Sequence, residues 1–121
     1  MVNGERYFLA QIIDNEVISI AIFGLERVIN GIPYYSLGFA VKETYRGKGL
    51  AIKIMNIGLG VLKGEISKRF KVKGFYLEGL IDQGNINSLR VASKLTSKKG
   101  IPTQDYETGT PSYLFEQYIE I

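Results

Sequence analysis

The chain has 121 residues, of which 45% are hydrophobic and 22% charged, a composition typical of one globular domain with a core of its own. It contains no histidine and no cysteine, so disulfides, thiolate chemistry, a catalytic histidine and most zinc sites are excluded. The net charge of +3 favours an acidic partner, but only weakly.

Three strand-like segments occupy the start of the chain. Aromatic and branched residues fill 7–13, and after a turn at 14–16 the residues at 17–25 alternate between two faces, as in a β-strand. The Asn-Gly pair at 30–31 is able to adopt positive φ and predicts a second turn before a third strand at 34–41. These short connections predict an antiparallel meander.

The hydrophobic period changes after Leu50 and predicts a long helix. Apolar residues recur there at intervals of three or four and would share one helix face: Ala51, Met55, Leu59, Leu62, Ile66 and Phe70. Three glycines lie within this segment, at 58, 60 and 64, and each costs up to about 1 kcal/mol relative to alanine. Either long apolar burial offsets that cost or another part of the chain approaches the backbone closely.

The rest of the chain predicts a strand, a helix and two more strands, at 73–81, 86–95, 101–106 and 112–121. Asn85 or Asn87 would cap the second helix. The predicted order β-β-β-α-β-α-β-β corresponds to an α/β (α+β) protein with a mixed, mostly antiparallel sheet and helices packed on it. No linker or repeat divides the chain, so we expect a single domain over residues 1–121.

The loop between the third strand and the first helix is rich in glycine and basic residues: Arg46, Gly47, Lys48 and Gly49. The first N–H groups of a helix have no intrahelical partner, and glycines let a ligand approach them closely. Such a loop suits a phosphate group, although a plain surface turn fits the same residues. Its spacing matches neither the Walker loop nor the dinucleotide-binding fingerprint.

Two motifs resemble those of the GNAT superfamily of N-acetyltransferases. The stretch YRGKGLA fits the acyl-CoA-binding motif Arg/Gln-x-x-Gly-x-Gly/Ala, with Arg46, Gly49 and Ala51 in the defining places. The stretch NINSLRVASKL fits the second motif, Asn-x-x-Ser-x-x-Val-x-x-Lys-Leu, through Asn85, Ser88, Val91, Lys94 and Leu95. Both motifs follow the family's order, each beside the expected strand and helix. The resemblance covers about residues 6–121 and implies a GNAT-like fold.

The resemblance implies a short form of that fold. Residue 7 already falls on the family's second strand, so the usual N-terminal strand and two helices are expected to be missing. These elements help to wall the acceptor site in the family, so that side would be open, completed by a second subunit or built differently. Homodimers are common in the family, and the edge-prone C-terminal strand adds a reason to expect one here.

The family uses acetyl-CoA as a co-substrate and no metal, and the resemblance implies the same for this chain. The pantetheine arm would pair with the backbone at 39–41, and the pyrophosphate would rest on N–H groups at 46–51. The implied cofactor-binding residues are Phe39, Ala40, Val41, Arg46, Gly47, Lys48, Gly49, Leu50, Ala51, Asn85 and Ser88. A primary amine would attack the thioester carbonyl directly, and an N–H near Ala40 or Val41 would stabilise the oxyanion.

The attacking amine must lose a proton, but the sequence offers no obvious base. Family members often use a carboxylate on the strands before the loop, and residues 32–41 contain none. Glu26 and Glu78 are the nearest carboxylates, although alternation would turn Glu78 to solvent if it has no such role. Many relatives carry a tyrosine as general acid where this chain has Ala92. The tyrosines that are possible substitutes are Tyr45, Tyr76, Tyr106 and Tyr113, and the candidate catalytic set is Glu78, Glu26 and Tyr113.

The resulting prediction is an N-acetyltransferase that acts on a small-molecule or protein amine. The alternative is a catalytically inactive GNAT-like module that binds CoA or a protein partner. A third interpretation, a small basic nucleic-acid binder, has only the net charge in its favour. The longest apolar stretch, VISIAIFGL, is too short to span a bilayer and the N-terminus lacks a signal-peptide pattern, so we expect no membrane partner and a cytoplasmic location.

Overall fold

The computed structural model describes residues 5–96 and 99–121, and residues 1–4 and 97–98 of the predicted domain lie outside these ranges. The strands span Arg6–Ile13 (β1), Glu16–Ile29 (β2), Ile32–Val41 (β3), Gly74–Asp82 (β4), Ile101–Gln104 (β5) and Pro111–Glu120 (β6). Helix α1, Leu50–Arg69, lies between β3 and β4, and helix α2, Ile86–Thr96, lies between β4 and β5. The predicted order of elements is confirmed.

The strands form one sheet in the order β1-β2-β3-β4-β6-β5. The prediction that the C-terminal strand lies at an edge is wrong, because β6 pairs with β4 on one side and β5 on the other. Every neighbouring pair is antiparallel except β3 and β4, which are parallel because α1 carries the chain back along the sheet between them. The mixed, mostly antiparallel sheet with packed helices confirms the predicted fold class. Positive φ at Asn30 (52°) and Gly31 (79°) confirms the turn predicted between β2 and β3.

Strand β2 is longer than predicted. It continues to Ile29, past the predicted end at Leu25, because a register shift between Leu25 and Arg27 keeps it paired with β3. Leu25 lies opposite the buried Tyr35, whereas Arg27 lies opposite Tyr34. The extra residue therefore moves Arg27 to the other face of the sheet.

Strand β5 is shorter than predicted and ends at Gln104 instead of Tyr106. The Asp105 carboxylate accepts a hydrogen bond from the N–H of Glu107 at 2.9 Å. This local bond turns the chain before it can extend further along β6.

The core lies between the sheet and α1. The buried residues of α1 are Ile54, Met55, Gly58, Leu62 and Ile66. Three of the six predicted core positions are thus buried, and the other three are half-buried. Gly58 brings the helix backbone against the Phe23 ring on β2, where a Cβ atom would lie 2.7 Å from Cε2. Close approach therefore explains Gly58, whereas Gly60 and Gly64 face open space.

Both helices pack on the same face of the sheet. Leu77 of β4 belongs to the core cluster under α1, and Ile81, four residues later on the same strand, packs with Ala92 of α2. Residues that alternate with these, such as Glu78 and Leu80, point to the opposite face, which we call the open face. No helix within the described ranges has both the length and the apolar character needed to cross a bilayer.

Candidate functional site

The loop between β3 and α1 is anchored by backbone hydrogen bonds. The N–H of Lys42 donates to the Ile18 carbonyl on β2 at 2.8 Å. A single 3-10 turn over Glu43–Tyr45 follows, and the N–H of Arg46 donates to the Glu43 carbonyl at 3.2 Å. These bonds fix the point at which the glycines begin.

Gly47 and Gly49 both have left-handed backbone conformations, with φ of 79° and 73°. Residues with a side chain rarely adopt such values. A Cβ atom at either position would meet nothing within 4 Å. The need for glycine therefore comes from the backbone conformation, and the space in front of both residues is open.

Helix α1 begins without a side-chain cap. Gly49 is its N-cap, no side chain bonds to the cap, and the first turn contains no acidic residue. The first helical bond runs from the N–H of Lys53 to the Gly49 carbonyl at 3.1 Å. The N–H groups of 50–52 therefore have no acceptor within the helix and, with the helix dipole, attract an anion.

A cavity of about 480 Å³, which we call the loop cavity, opens at this end of α1. It is lined by residues 39–41, 45–47 and 49–52, and by residues 85, 87, 88, 90, 91 and 94 around α2. Of the residues predicted to bind the cofactor, all except Lys48 line it. The Nζ atom of Lys48 lies 5.2 Å from the centroid of the Tyr45 ring instead.

Strands β3 and β4 separate beside the loop cavity. They pair over three positions only: Tyr34 with Tyr76, Tyr35 with Leu77, and Ser36 with Glu78. Beyond these pairs β3 stays bonded to β2 as far as Val41, and β4 stays bonded to β6 as far as Asp82. The backbone groups of 37–41 that point toward β4 are therefore not bonded to that strand, and an extended chain of a ligand has room to pair with them.

Helix α2 closes the other side of the loop cavity. Asn85 caps it, since its Oδ1 accepts the N–H of Ser88 at 3.2 Å and its carbonyl accepts the N–H of Leu89 at 3.0 Å. The predicted site omitted six lining residues: Tyr45, Ile52, Asn87, Arg90, Val91 and Lys94. Two of them belong to the second motif, and the helical period places positions 87, 91 and 94 on one face of α2. That periodicity was the available signal.

The described residues that line the loop cavity include three cations and no carboxylate. The cations are Arg46, Arg90 and Lys94, and the last two lie one turn apart on α2. The Nε of Arg46 donates to the Val41 carbonyl at 3.1 Å, which holds its guanidinium beside the end of β3. Positive charge and free N–H groups together are what a phosphate-binding site requires. They favour the phosphate-binding interpretation of the loop over the plain surface turn.

Glu78 on β4 does not face bulk solvent. Its two carboxylate oxygens accept hydrogen bonds from Nη1 and Nη2 of Arg27 at 2.6 and 2.9 Å, and 13% of its side chain is exposed. The hydrogen bond to Glu78 raises the pKa of Arg27. The Arg27 guanidinium also lies 4.5 Å from the centroid of the Tyr34 ring. Alternation therefore points Glu78 to the open face, where Arg27 covers it.

Glu26 and Glu78 come together in a second cavity of about 280 Å³, which we call the seam cavity. Its lining residues are Glu26, Ser36, Glu78, Gly79, Leu80 and Leu114. The two candidate carboxylates are thus neighbours, but neither lines the loop cavity. Within the described residues there is no group of three or more carboxylates that could hold a metal ion.

Tyr113 lines neither cavity. It packs against a small buried cluster under α2 that consists of Ile81, Ala92 and Phe115. Ala92, the position at which the resemblance led us to look for a tyrosine, is itself buried in this cluster.

The other three candidate tyrosines have different surroundings. Tyr45 lines the loop cavity. Tyr76 stacks on Tyr34 with ring centroids 4.6 Å apart and meets Tyr118 edge-on at 5.2 Å, on the open face. Tyr106 is 92% exposed. Of the four, only Tyr45 is near the predicted cofactor site.

Comparisons with known proteins find similarity in structure. No family model matches the chain, and no curated protein matches it. A putative GnaT-family acetyltransferase from Bordetella pertussis is similar with a TM-score of 0.64 and 23% identity, over 94% of this chain and 65% of that one. An acetyltransferase of the GNAT family from Streptococcus pneumoniae has a TM-score of 0.69 and 12% identity, over 94% and 66%. A putative acetyltransferase from Salmonella typhimurium, solved with its cofactor acetyl-CoA, has a TM-score of 0.65 and 18% identity, over 94% and 65%.

These similarities concern the arrangement of the backbone. Sequence identity is low in all three comparisons, and the chain spans about two thirds of the length of each matched structure. The shared part includes nearly all of this chain, from the antiparallel strands through α1 to β6. The chain therefore has the fold of the GNAT acetyltransferases, as its two motifs predicted.

Proposed function

We propose that the protein is an N-acetyltransferase that transfers the acetyl group of acetyl-CoA to a primary amine. The observation that carries the proposal is the loop cavity, where free N–H donors at the start of α1 and three cations adjoin the unpaired side of β3. CoA has the matching chemistry, because its pyrophosphate accepts hydrogen bonds and its pantetheine amides can pair with a strand. The GNAT fold supports the same activity.

Different residues of the loop cavity would bind different parts of CoA. The pyrophosphate would lie against the N–H groups of 47–51, because the N–H of Arg46, which the prediction included, already donates to the Glu43 carbonyl. The pantetheine arm would run along 39–41 toward the point where β3 and β4 meet. Arg90 and Lys94 would supply further positive charge from α2. We retain Asn85 and Ser88 as cofactor-binding residues, since both line the same cavity.

The reaction requires no covalent enzyme intermediate. The nitrogen of the acceptor amine attacks the thioester carbonyl, an amide bond forms, the C–S bond breaks and CoA leaves as a thiolate that takes up a proton. The backbone N–H of Val41 would stabilise the oxyanion, a type of contact worth about 3 kcal/mol in other enzymes. The N–H of Ala40, like that of Lys42, points to β2. The amine gives up its proton either to water or to a carboxylate reached through water.

Glu26 and Glu78 are the carboxylates that we propose for this proton transfer. Both lie on the seam cavity, next to the last bonded pair of β3 and β4. Arg27 engages both oxygens of Glu78, so each oxygen has one fewer lone pair for an acceptor amine or a water. Tyr113 is the weaker proposal for the general acid, because it packs under α2 and lines neither cavity.

Calorimetric titration of acetyl-CoA into the wild type and into Gly49→Glu tests the proposal. The variant adds a side chain and a negative charge where the pyrophosphate would lie, and we expect binding to weaken at least about tenfold. Gly31→Glu is the matched control, because Gly31 also has a positive φ of 79° and open space at Cβ but lies on the β2–β3 turn. Failure of the folded wild type to bind acetyl-CoA would rule out the transferase.

A second candidate function is binding of CoA or a protein partner without catalysis. The observation in its favour is that the proposed acid and base groups are engaged elsewhere, Glu78 by Arg27 and Tyr113 by the packing under α2. The two functions differ in turnover and not in binding. Release of free CoA with any member of a panel of polyamines, aminoglycosides and peptide amines would exclude the inactive module.

A further inference from the structure

The opening between β3 and β4 has a closed inner end. The loop cavity follows β3 as far as Phe39, and neither Gly38 nor Leu37 lines it. The seam cavity begins at Ser36 on the other side. Leu37 thus lies on the part of β3 that separates the two cavities, roughly 7 Å along the strand from Phe39.

The side chain of Leu37 fills the space that a side chain on β4 would otherwise take. A Cβ atom built on Gly79 would lie 3.2 Å from Cγ and 3.3 Å from Cδ1 of Leu37. Leu37 also packs against the core cluster under α1. Gly79 therefore allows the isobutyl group of Leu37 to lie across the gap at the first position where the strands are no longer paired.

The bonded pairs behind Leu37 are braced on the open face. Arg27 reaches from β2 across β3 to Glu78 on β4, with both hydrogen bonds at or below 2.9 Å. The rings of Tyr34 on β3 and Tyr76 on β4 stack on each other with an angle of 10° between their planes. These contacts oppose widening of the opening at this end, so its depth depends mainly on the size of the side chains at 37 and 79.

We propose that Leu37, seated on Gly79, limits the length of the acyl group that the opening accepts. The inference rests on the proposed function: with the pyrophosphate at the start of α1 and the pantetheine arm along 39–41, the acyl end of the thioester points toward Leu37. An acetyl group then fits in front of the isobutyl group, and each added methylene brings the chain into contact with it. Leu37 is a specificity-determining residue in this arrangement.

The test compares the affinities of CoA, acetyl-CoA and butyryl-CoA for the wild type, Leu37→Ala and Gly79→Ala, by calorimetry. The wild type is expected to bind butyryl-CoA about tenfold or more weakly than acetyl-CoA. Leu37→Ala removes the obstruction and should bring the two affinities within about threefold. Gly79→Ala pushes a methyl group against Leu37 and should increase the preference for acetyl-CoA.

CoA has no acyl group and serves as the reference ligand. Its affinity should be the same in all three proteins, because no residue that lines the loop cavity is changed. Absence of CoA binding to the wild type would overturn the proposed function itself. CoA binding together with an unchanged ratio of acetyl-CoA to butyryl-CoA affinity in the variants would overturn only the role of Leu37. If Leu37→Ala does not fold, the ratio measured for Gly79→Ala decides the question, and an unchanged ratio counts against the proposal.

Discussion

The loop cavity and the seam cavity lie on either side of Leu37, and they are built in different ways. The loop cavity depends on backbone conformation: two glycines with positive φ, an uncapped helix start and a strand side without a partner. The seam cavity is lined by residues from distant parts of the chain, among them Glu26 of β2 and Glu78 of β4. Arg27, 51 residues from Glu78, holds that carboxylate beside the cavity.

We therefore expect different residues to determine the affinity for CoA and the free energy of unfolding. Substitutions that change only the charge at the loop cavity should change the affinity for CoA and leave the free energy of unfolding nearly unchanged. Substitutions at the paired positions of β3 and β4 should do the reverse. Three further experiments test this separation, in order of decreasing effect.

Arg27→Ala should lower the free energy of unfolding by about 2 to 3 kcal/mol, because it leaves the largely covered Glu78 carboxylate without its partner. Urea unfolding measures the loss. Arg27→Lys is the matched variant: it keeps the charge, loses the two-pronged contact and should recover part of the stability. CoA affinity should stay within about twofold of the wild type. A parallel loss of CoA affinity would show that the two cavities are not independent.

Tyr35→Phe should make the free energy of unfolding less dependent on pH above pH 10. Burial raises the pKa of Tyr35 to about 12, and in the described part of the chain its hydroxyl has no hydrogen-bond partner. The folded state holds this proton more tightly than the unfolded state, where the pKa is near 10, so the associated stability is complete below pH 10. It is lost as the pH rises toward 12, by about 2 kcal/mol.

Urea unfolding on both sides of pH 10 therefore should show a smaller alkaline loss of stability for Tyr35→Phe than for the wild type. Below pH 10 the variant should be at least as stable, because phenylalanine has no buried hydroxyl to satisfy. Equal alkaline losses in the two proteins would mean that Tyr35 is not the group that titrates.

Arg90→Gln should weaken CoA binding about fivefold, equivalent to about 1 kcal/mol, and the deficit should shrink at high salt. Lys48→Gln is the matched control, since it removes the same charge from a residue of the loop that does not line the cavity. Lys48→Gln should weaken CoA binding less than about twofold. Equal effects of the two substitutions would indicate that net charge, and not position on the cavity wall, determines affinity.

The sequence predicted the loop cavity better than the seam. Strands and helices follow from local hydrophobic periods, and the motifs around Arg46 and Asn85 identified most of the lining of the loop cavity. The contact of Arg27 with Glu78 had no such signal, because strict alternation along β2 would put Arg27 on the same face as Leu25. The register shift between those two residues reverses the assignment.

The sequence also did not predict that the pairing of β3 with β4 ends after Ser36. Nothing in the residues at 37–41 distinguishes a strand that leaves its neighbour from one that stays, since the same residues remain bonded to β2. The separation depends on where β4 lies and on what packs between the strands, which only the folded chain determines. The position of Leu37, whose Cγ lies 3.2 Å from where a Cβ atom on Gly79 would be, could not be predicted from the sequence either.

The left-handed glycines of the loop have a consequence for how such a protein changes over time. A binding site made of backbone N–H groups tolerates most substitutions of the side chains around it, provided that the backbone keeps its conformation. Nearly every neighbouring residue can therefore change during evolution without loss of the site. One solved structure with the same fold shares only 12% of its residues with this chain.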